Sequence, residues 1–150
     1  VAMAAKAAKV IGVEIAEPAV EDARRNAEDN GIKNARFICA DAAQAAAQLQ
    51  SEGVRPDVVV LDPPRKGCDG ALIDTVVKML PDRIVYVSCD PATLARDLKR
   101  FDQSGYRTEQ VTPVDMFPRT GHVETVVLMS RVNRRVCEKP SNTGIFGVLG

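Results

Sequence analysis

Cys89 lies in the run Val85-Tyr86-Val87-Ser88-Cys89-Asp90-Pro91-Ala92-Thr93-Leu94-Ala95-Arg96-Asp97. An apolar strand ends at this cysteine, a proline follows two residues later, and a helical pattern then begins. This order predicts a thiol at the mouth of an α/β sheet, beside the positive end of a helix. A helix N-terminus favours anions and so favours thiolate, the nucleophilic form of the side chain. The alternative, a buried structural cysteine, is the commoner fate of an arbitrary cysteine. The strand-end position and the flanking residues weigh against it here.

Three acids occupy comparable places. Glu14 ends one apolar run, Asp41 falls just past a second, and Asp62 follows a third. In open α/β sheets ligands bind outside the carboxyl ends of the strands, so Glu14, Asp41, Asp62 and Cys89 would share one rim. Glu14 suits a ribose, because one carboxylate can accept from two vicinal hydroxyls. Asp41 reads equally well as the N-cap of the next helix. Arg65 and Lys66 are either partners for a substrate anion or part of a solvated loop.

The elements that must hold these residues follow from pattern. Lys9–Glu14, Ala35–Cys39, Asp57–Leu61 and Arg83–Ser88 are short apolar runs of the buried parallel kind. Helices are predicted from Pro18 to about Asn30, over Ala42–Glu52, over Ala71–Leu80, and from Ala92 to Ser104 with Gly105 as the stop. Consecutive prolines make Asp62–Gly67 a loop. Tyr106–Val114 and His122–Ser130 read as two strands without a helix between them. The alternation predicts a mostly parallel, doubly wound α/β sheet with right-handed crossovers and an antiparallel closing pair at one edge. Residues 1–131 form this domain, and 132–150 read as an irregular tail.

Composition narrows the classes. At 150 residues the chain is one domain, with 45% hydrophobic residues, ordinary for a globular protein. No stretch is long or apolar enough for a membrane span, and no membrane partner is expected. The cysteines Cys39, Cys68, Cys89 and Cys137 are widely spaced and His122 is the single histidine. No metal site is therefore expected, and reduced thiols fit a cytoplasmic enzyme. Net charge is zero, but the Lys/Arg surplus lies in residues 65–150, with 13 against 10 Asp/Glu. That asymmetry leans toward a polyanionic substrate. With no Trp, a base-stacking platform is not expected.

Three motifs carry a resemblance. Leu61-Asp62-Pro63-Pro64-Arg65-Lys66-Gly67, then Ser88-Cys89-Asp90-Pro91 with Thr93 and Arg96-Asp97, then Gly121-His122-Val123-Glu124-Thr125-Val126 resemble, in order, the uracil-5 methyltransferases of ribosomal and transfer RNA. The likeness is nearest to bacterial enzymes acting on 23S ribosomal RNA and covers roughly residues 5–131. It implies a Rossmann-like class I methyltransferase sheet, S-adenosylmethionine as cofactor and an RNA substrate. It further implies Cys89 as nucleophile, Glu124 as the base for the C5 proton, and Glu14, Asp41 and Asp62 as cofactor contacts. For Asp41 only the place after the strand agrees. His122, two residues from Glu124, would point the same way on a regular strand; a structural role is its commoner fate.

The same resemblance implies a first strand and a glycine-rich turn ahead of Val1, together with an RNA-binding domain. The chain then reads as a C-terminal part of the enzyme. A sheet lacking its central strand would expose two unpaired edges and tend to self-associate. The alternatives are a catalytically silent structural or binding module and a transfer-RNA enzyme. An amino-methyltransferase would explain Asp62-Pro63-Pro64 but neither Cys89 nor Glu124.

Overall fold

A computed structural model describes residues 2–116, 119, 123–132 and 144–149. After a short 3-10 turn at Ala2–Lys6 the order is β1 (Lys9–Glu14), α1 (Glu17–Asp29), β2 (Ala35–Cys39), α2 (Ala42–Ser51), β3 (Val58–Asp62), α3 (Gly70–Lys78), β4 (Arg83–Ser88), α4 (Pro91–Gln103), β5 (Tyr106–Val114), β6 (Glu124–Arg131) and β7 (Gly144–Leu149). The predicted strand and helix positions agree to within a residue or two. His122, expected at the start of β6, and Cys137 lie outside the described residues.

The strands form one sheet in the order β2-β1-β7-β3-β4-β6-β5. β2, β1, β7, β3 and β4 run parallel, while β6 is antiparallel to both β4 and β5. This is the expected class I architecture. The helices supply the apolar stripes that cover it. Ala45, Ala46 and Leu49 face inward from α2, and Leu72, Ile73 and Val76 from α3. From α4 come Leu94, Asp97 and Phe101, spaced three and four residues apart on one helix face. Val59, Leu61, Ile84, Tyr86, Val127 and Met129 meet them from the strands, all but inaccessible to solvent. Phe101 and Tyr106 pack edge to face at a centroid distance of 6.2 Å.

The tail departs from expectation. Residues 132–150 read as irregular, yet 144–149 form a strand between β1 and β3, the place left for the family's first strand. Val10 pairs with Ile145 on one side of it, and Val58 pairs with the same residue on the other. Asp57 anchors its start: its carboxylate accepts from Gly144 N–H at 2.6 Å, and its own N–H donates to Gly144 O at 2.9 Å. The physical reason is that β1 and β3 each present a row of unpaired backbone groups. Ile145-Phe146-Gly147-Val148-Leu149 is the remaining apolar run able to satisfy both rows. Phe146 is fully buried, and Gly147 lies where an added Cβ would be 3.7 Å from the Met3 terminal methyl. The two expected open edges are thus both paired.

Candidate active site

β4 delivers Cys89 to the rim. Ser88 is buried at the strand end, and its hydroxyl both donates to Asp90 O (2.9 Å) and accepts from Asp90 N–H (3.1 Å). The half-buried Cys89 is therefore held at the tip of a tight turn. Pro91 then opens α4, at the position where a missing N–H costs nothing. The anion seated on the helix N-terminus is the neighbouring carboxylate. Asp90 Oδ1 accepts from Ala92 N–H at 2.9 Å and Thr93 N–H at 3.0 Å. The Thr93 amide is the leading cause that holds the Asp90 carboxyl below its ordinary range, and the Arg65 charge adds to it.

β6 brings in Glu124. Ser88 pairs with Thr125 across β4 and β6. The next residue along β4 is Cys89, and the residue before Thr125 is Glu124, so both side chains belong to the same end of the strand pair. Glu124, Asp62, Val87, Val114, Met116 and Val126 enclose a cavity of about 310 Å³. Its walls are apolar and it holds two carboxylates. Desolvation raises the Asp62 pKa, and repulsion by Glu124 raises it further.

A second cavity, of about 220 Å³, opens over the carboxyl ends of β1, β2 and β3, with Val13, Ile15, Ala40, Asp41, Pro63 and Leu72 among its walls. Its walls are mostly apolar, and Asp41, Asp69 and Lys66 also line it. Asp41 does cap α2: its Oδ1 accepts from Ala43 N–H at 2.9 Å and Gln44 N–H at 3.3 Å. Of the two readings of Asp41, the N-cap is the one these hydrogen bonds show. Glu14 Oε1 accepts from Ala16 N–H at 2.9 Å, so Glu14 also holds the turn into α1. The structure therefore groups Asp62 with Glu124 and sets Asp41 in the other slot, while Glu14 and Cys89 line neither cavity. A larger hollow, about 620 Å³, lies at the opposite rim among Lys9, Lys33, Arg36 and Arg55, away from every expected site residue. Among the described residues no cluster of His, Cys, Asp or Glu has metal-binding geometry, and no helix is long and apolar enough to cross a membrane.

Sequence reasoning missed how the 63–68 loop is held. Asp97 is a carboxylate with 2% exposure. Its Oδ2 accepts from Cys68 N–H (2.8 Å) and Tyr86 O–H (2.6 Å), and its Oδ1 from Arg96 Nε (2.9 Å). Arg96 also donates to Lys66 O at 2.8 Å and Cys68 O at 3.3 Å, and Thr93 Oγ1 donates to Arg65 O at 2.9 Å. Cys68 is buried, and burial drives its thiol up to about 12. The available signal was an acid at position 97 on the apolar stripe of α4, between Leu94 and Phe101. A buried charge at such a place needs partners.

With this geometry in view, likeness to known proteins becomes informative. A family model described as tRNA (Uracil-5-)-methyltransferase matches residues 1–132. An uncharacterized RNA methyltransferase of Bacillus cereus is 57% identical over 132 residues, which is 88% of this chain and 29% of that protein. One from Halalkalibacterium halodurans is 52% identical over 131 residues, 87% of this chain and again 29% of that protein. The chain therefore spans under a third of the length of these relatives. Among solved structures, the tRNA (uracil-54, C5)-methyltransferase of Pyrococcus abyssi, in complex with S-adenosyl-L-homocysteine, superposes with a TM-score of 0.70. It is 39% identical, over 81% of this chain and 28% of that one. An rRNA methylase of Streptococcus thermophilus, 14% identical with a TM-score of 0.65 over 87% of this chain and 78% of that one, shares the fold. The motifs around Asp62, Cys89 and Glu124 all fall inside the matched span, and the chain belongs to the tRNA (uracil-5-)-methyltransferase family.

Proposed function

We propose that this chain carries the chemical centre of an S-adenosylmethionine-dependent RNA methyltransferase that acts on C5 of a uridine. The observation that supports this most is the β4–β6 register, which puts Cys89 and Glu124 at one rim beside a pocket walled by apolar residues. Uracil C5 is a poor nucleophile by itself. Cys89, as thiolate, adds to C6 and turns the C5–C6 double bond into an enolate, so that electron density accumulates at C5. When bound, S-adenosylmethionine would supply the methyl group, its S–CH3 bond breaking as the new bond to C5 forms and S-adenosylhomocysteine departing as the neutral thioether. Once C5 is methylated, Glu124 removes the C5 proton, the double bond re-forms and the thiolate leaves.

The slot beside Asp41 suits the nucleoside half of that cofactor: apolar lining from Val13, Ala40, Pro63 and Leu72, with the Asp41 and Asp69 carboxylates among its polar groups. Glu14 and Asp62, at the neighbouring strand ends, complete the set of residues that would hold it. At about 220 Å³ the slot is smaller than a site for a whole drug-sized ligand. The 150-residue chain is expected to bind S-adenosylmethionine weakly. Titration calorimetry decides this, and tight stoichiometric binding would mean that the cradle is complete as it stands.

For the target we retain 23S ribosomal RNA, from the motif resemblance. The Pyrococcus relative favours transfer RNA as the second reading. The test is covalent trapping on either RNA with 5-fluorouridine in place of uridine. Fluorine cannot leave C5 as a cation, so the thioether should persist after methyl transfer. Mass spectrometry should find it on Cys89, and Cys89→Ala should abolish it. An adduct that survives this substitution overturns the assignment. Absence of any adduct with the chain would favour a silent module.

A further inference from the structure

We propose that Asp97 is a positioning residue that clamps the 63–68 loop to α4, so that the Arg65 cation stands at the mouth of the site as its anion-recognition element. Assigning that anion to substrate RNA, as phosphate or as the enolate oxygen, rests on the reading given above. The clamp itself rests on geometry.

The loop has no regular ladder of its own; beyond one turn bond from Gly67 N–H to Pro64 O (2.8 Å), the groups that hold its backbone are side chains of a single helix. Thr93 takes the Arg65 carbonyl, Arg96 takes those of Lys66 and Cys68, and Asp97 takes the Cys68 amide. These three residues lie on the first two turns of α4, whose first residue, Pro91, is two positions from Cys89. Helix, thiol and loop are therefore fixed in one frame. Tyr86, fully buried on β4, donates to the same Asp97 oxygen as the Cys68 amide, which ties the frame to the sheet. The loop has been shaped to accept the clamp: Gly67 has φ +75°, and a Cβ there would lie 2.5 Å from Asp97 Oδ2 and 2.6 Å from an Arg96 nitrogen. The clamp sets Arg65 beside the turn that carries Cys89: Thr93 Oγ1 lies 2.9 Å from Arg65 O and 3.3 Å from Oδ1 of Asp90, the residue after Cys89, and the Arg65 charge adds to what holds the Asp90 carboxyl low.

The experiment uses the 150-residue chain and two alkylating reagents, iodoacetate and iodoacetamide. Both react with thiolate, so the ratio of their rates at Cys89, followed by peptide mass spectrometry, cancels any change in thiol ionisation. It reports only how well the mouth attracts an anion. Asp97→Asn removes a negative charge, so simple electrostatics would raise the iodoacetate preference. Release of the loop should instead lower it about two- to threefold, the size of a unit charge acting through water over roughly 8 Å. Arg65→Gln should lower it equally, and combining the two should add nothing. Trypsin should cut Asp97→Asn faster after Arg65 and Lys66 only. Thr93→Val, which keeps the buried carboxylate, should shift the ratio the same way by a smaller amount, and it serves if Asp97→Asn does not fold. A ratio unchanged or raised in these variants, whatever happens to melting temperature, overturns the proposal. Failure of fluorouridine trapping would count against the methyl-transfer reading alone, because neither alkylation nor proteolysis involves RNA.

Discussion

Glu124 and Cys89 divide the proposed reaction between them, and that division can be read experimentally. Addition and methyl transfer need the thiolate; elimination needs the base. On ordinary uridine RNA, Glu124→Gln is expected to accumulate a methylated covalent adduct, detected as a protein–RNA band that persists in denaturant. Unimpaired turnover would exclude Glu124. Asp62 adds a pH signature. Its carboxyl binds a proton more tightly in the folded state, because of desolvation and then Glu124. Stability should therefore fall as pH rises from the ordinary aspartate range through the raised value. Asp62→Asn should flatten that part of the denaturation profile. Asp90, held low by the Thr93 and Ala92 amides, acts in the opposite sense: its contribution is present above the ordinary aspartate range and is lost as pH falls. Cys89, Asp62 and Asp41 could be picked out from sequence because each follows an apolar run directly. The capping contact of Glu14 could not, since it depends on the chain doubling back two residues later. The contact of Asp97 with the loop was hidden because its partner there, Cys68, lies 29 positions upstream.

At the level of elements, period and punctuation did most of the work. Alternating apolar runs and amphipathic stretches located six strands and four helices, and Gly105 marked the end of α4 correctly. Pro63 and Pro64 showed that a loop begins there, but nothing local told that it is braced against α4. Gly67 tests the brace. Its positive φ and the close approach of Asp97 both exclude a side chain, so Gly67→Ala should destabilise the chain by more than about 1 kcal/mol. Thermal melting measures this. A glycine in open space such as Gly31, also at positive φ but with no atom within 4 Å of an added Cβ, should tolerate alanine better. Equal losses at the two sites would show that the contacts of the brace contribute nothing.

For the molecule as a whole, the central position of β7 is what the sequence concealed. Gly144–Leu149 has an unremarkable composition, and its two partners are separated from it by most of the chain. Only the topology shows that a strand is needed between β1 and β3. Phe146 fills the core from this strand with no solvent exposure. Phe146→Ala should cost about 3–5 kcal/mol, as measured by urea denaturation. A loss under 1 kcal/mol would mean that β7 contributes little to the native sheet.

The placement of β7 also has a consequence in time. β1 and β3 both precede β7 along the chain, so each of its two ladders joins segments far apart in sequence. Contacts between such distant segments form slowly, because most of the chain must be ordered before they are made. Until β7 docks, the facing edges of β1 and β3 are adhesive, a form for which a chaperone has a use and the folded sheet has none.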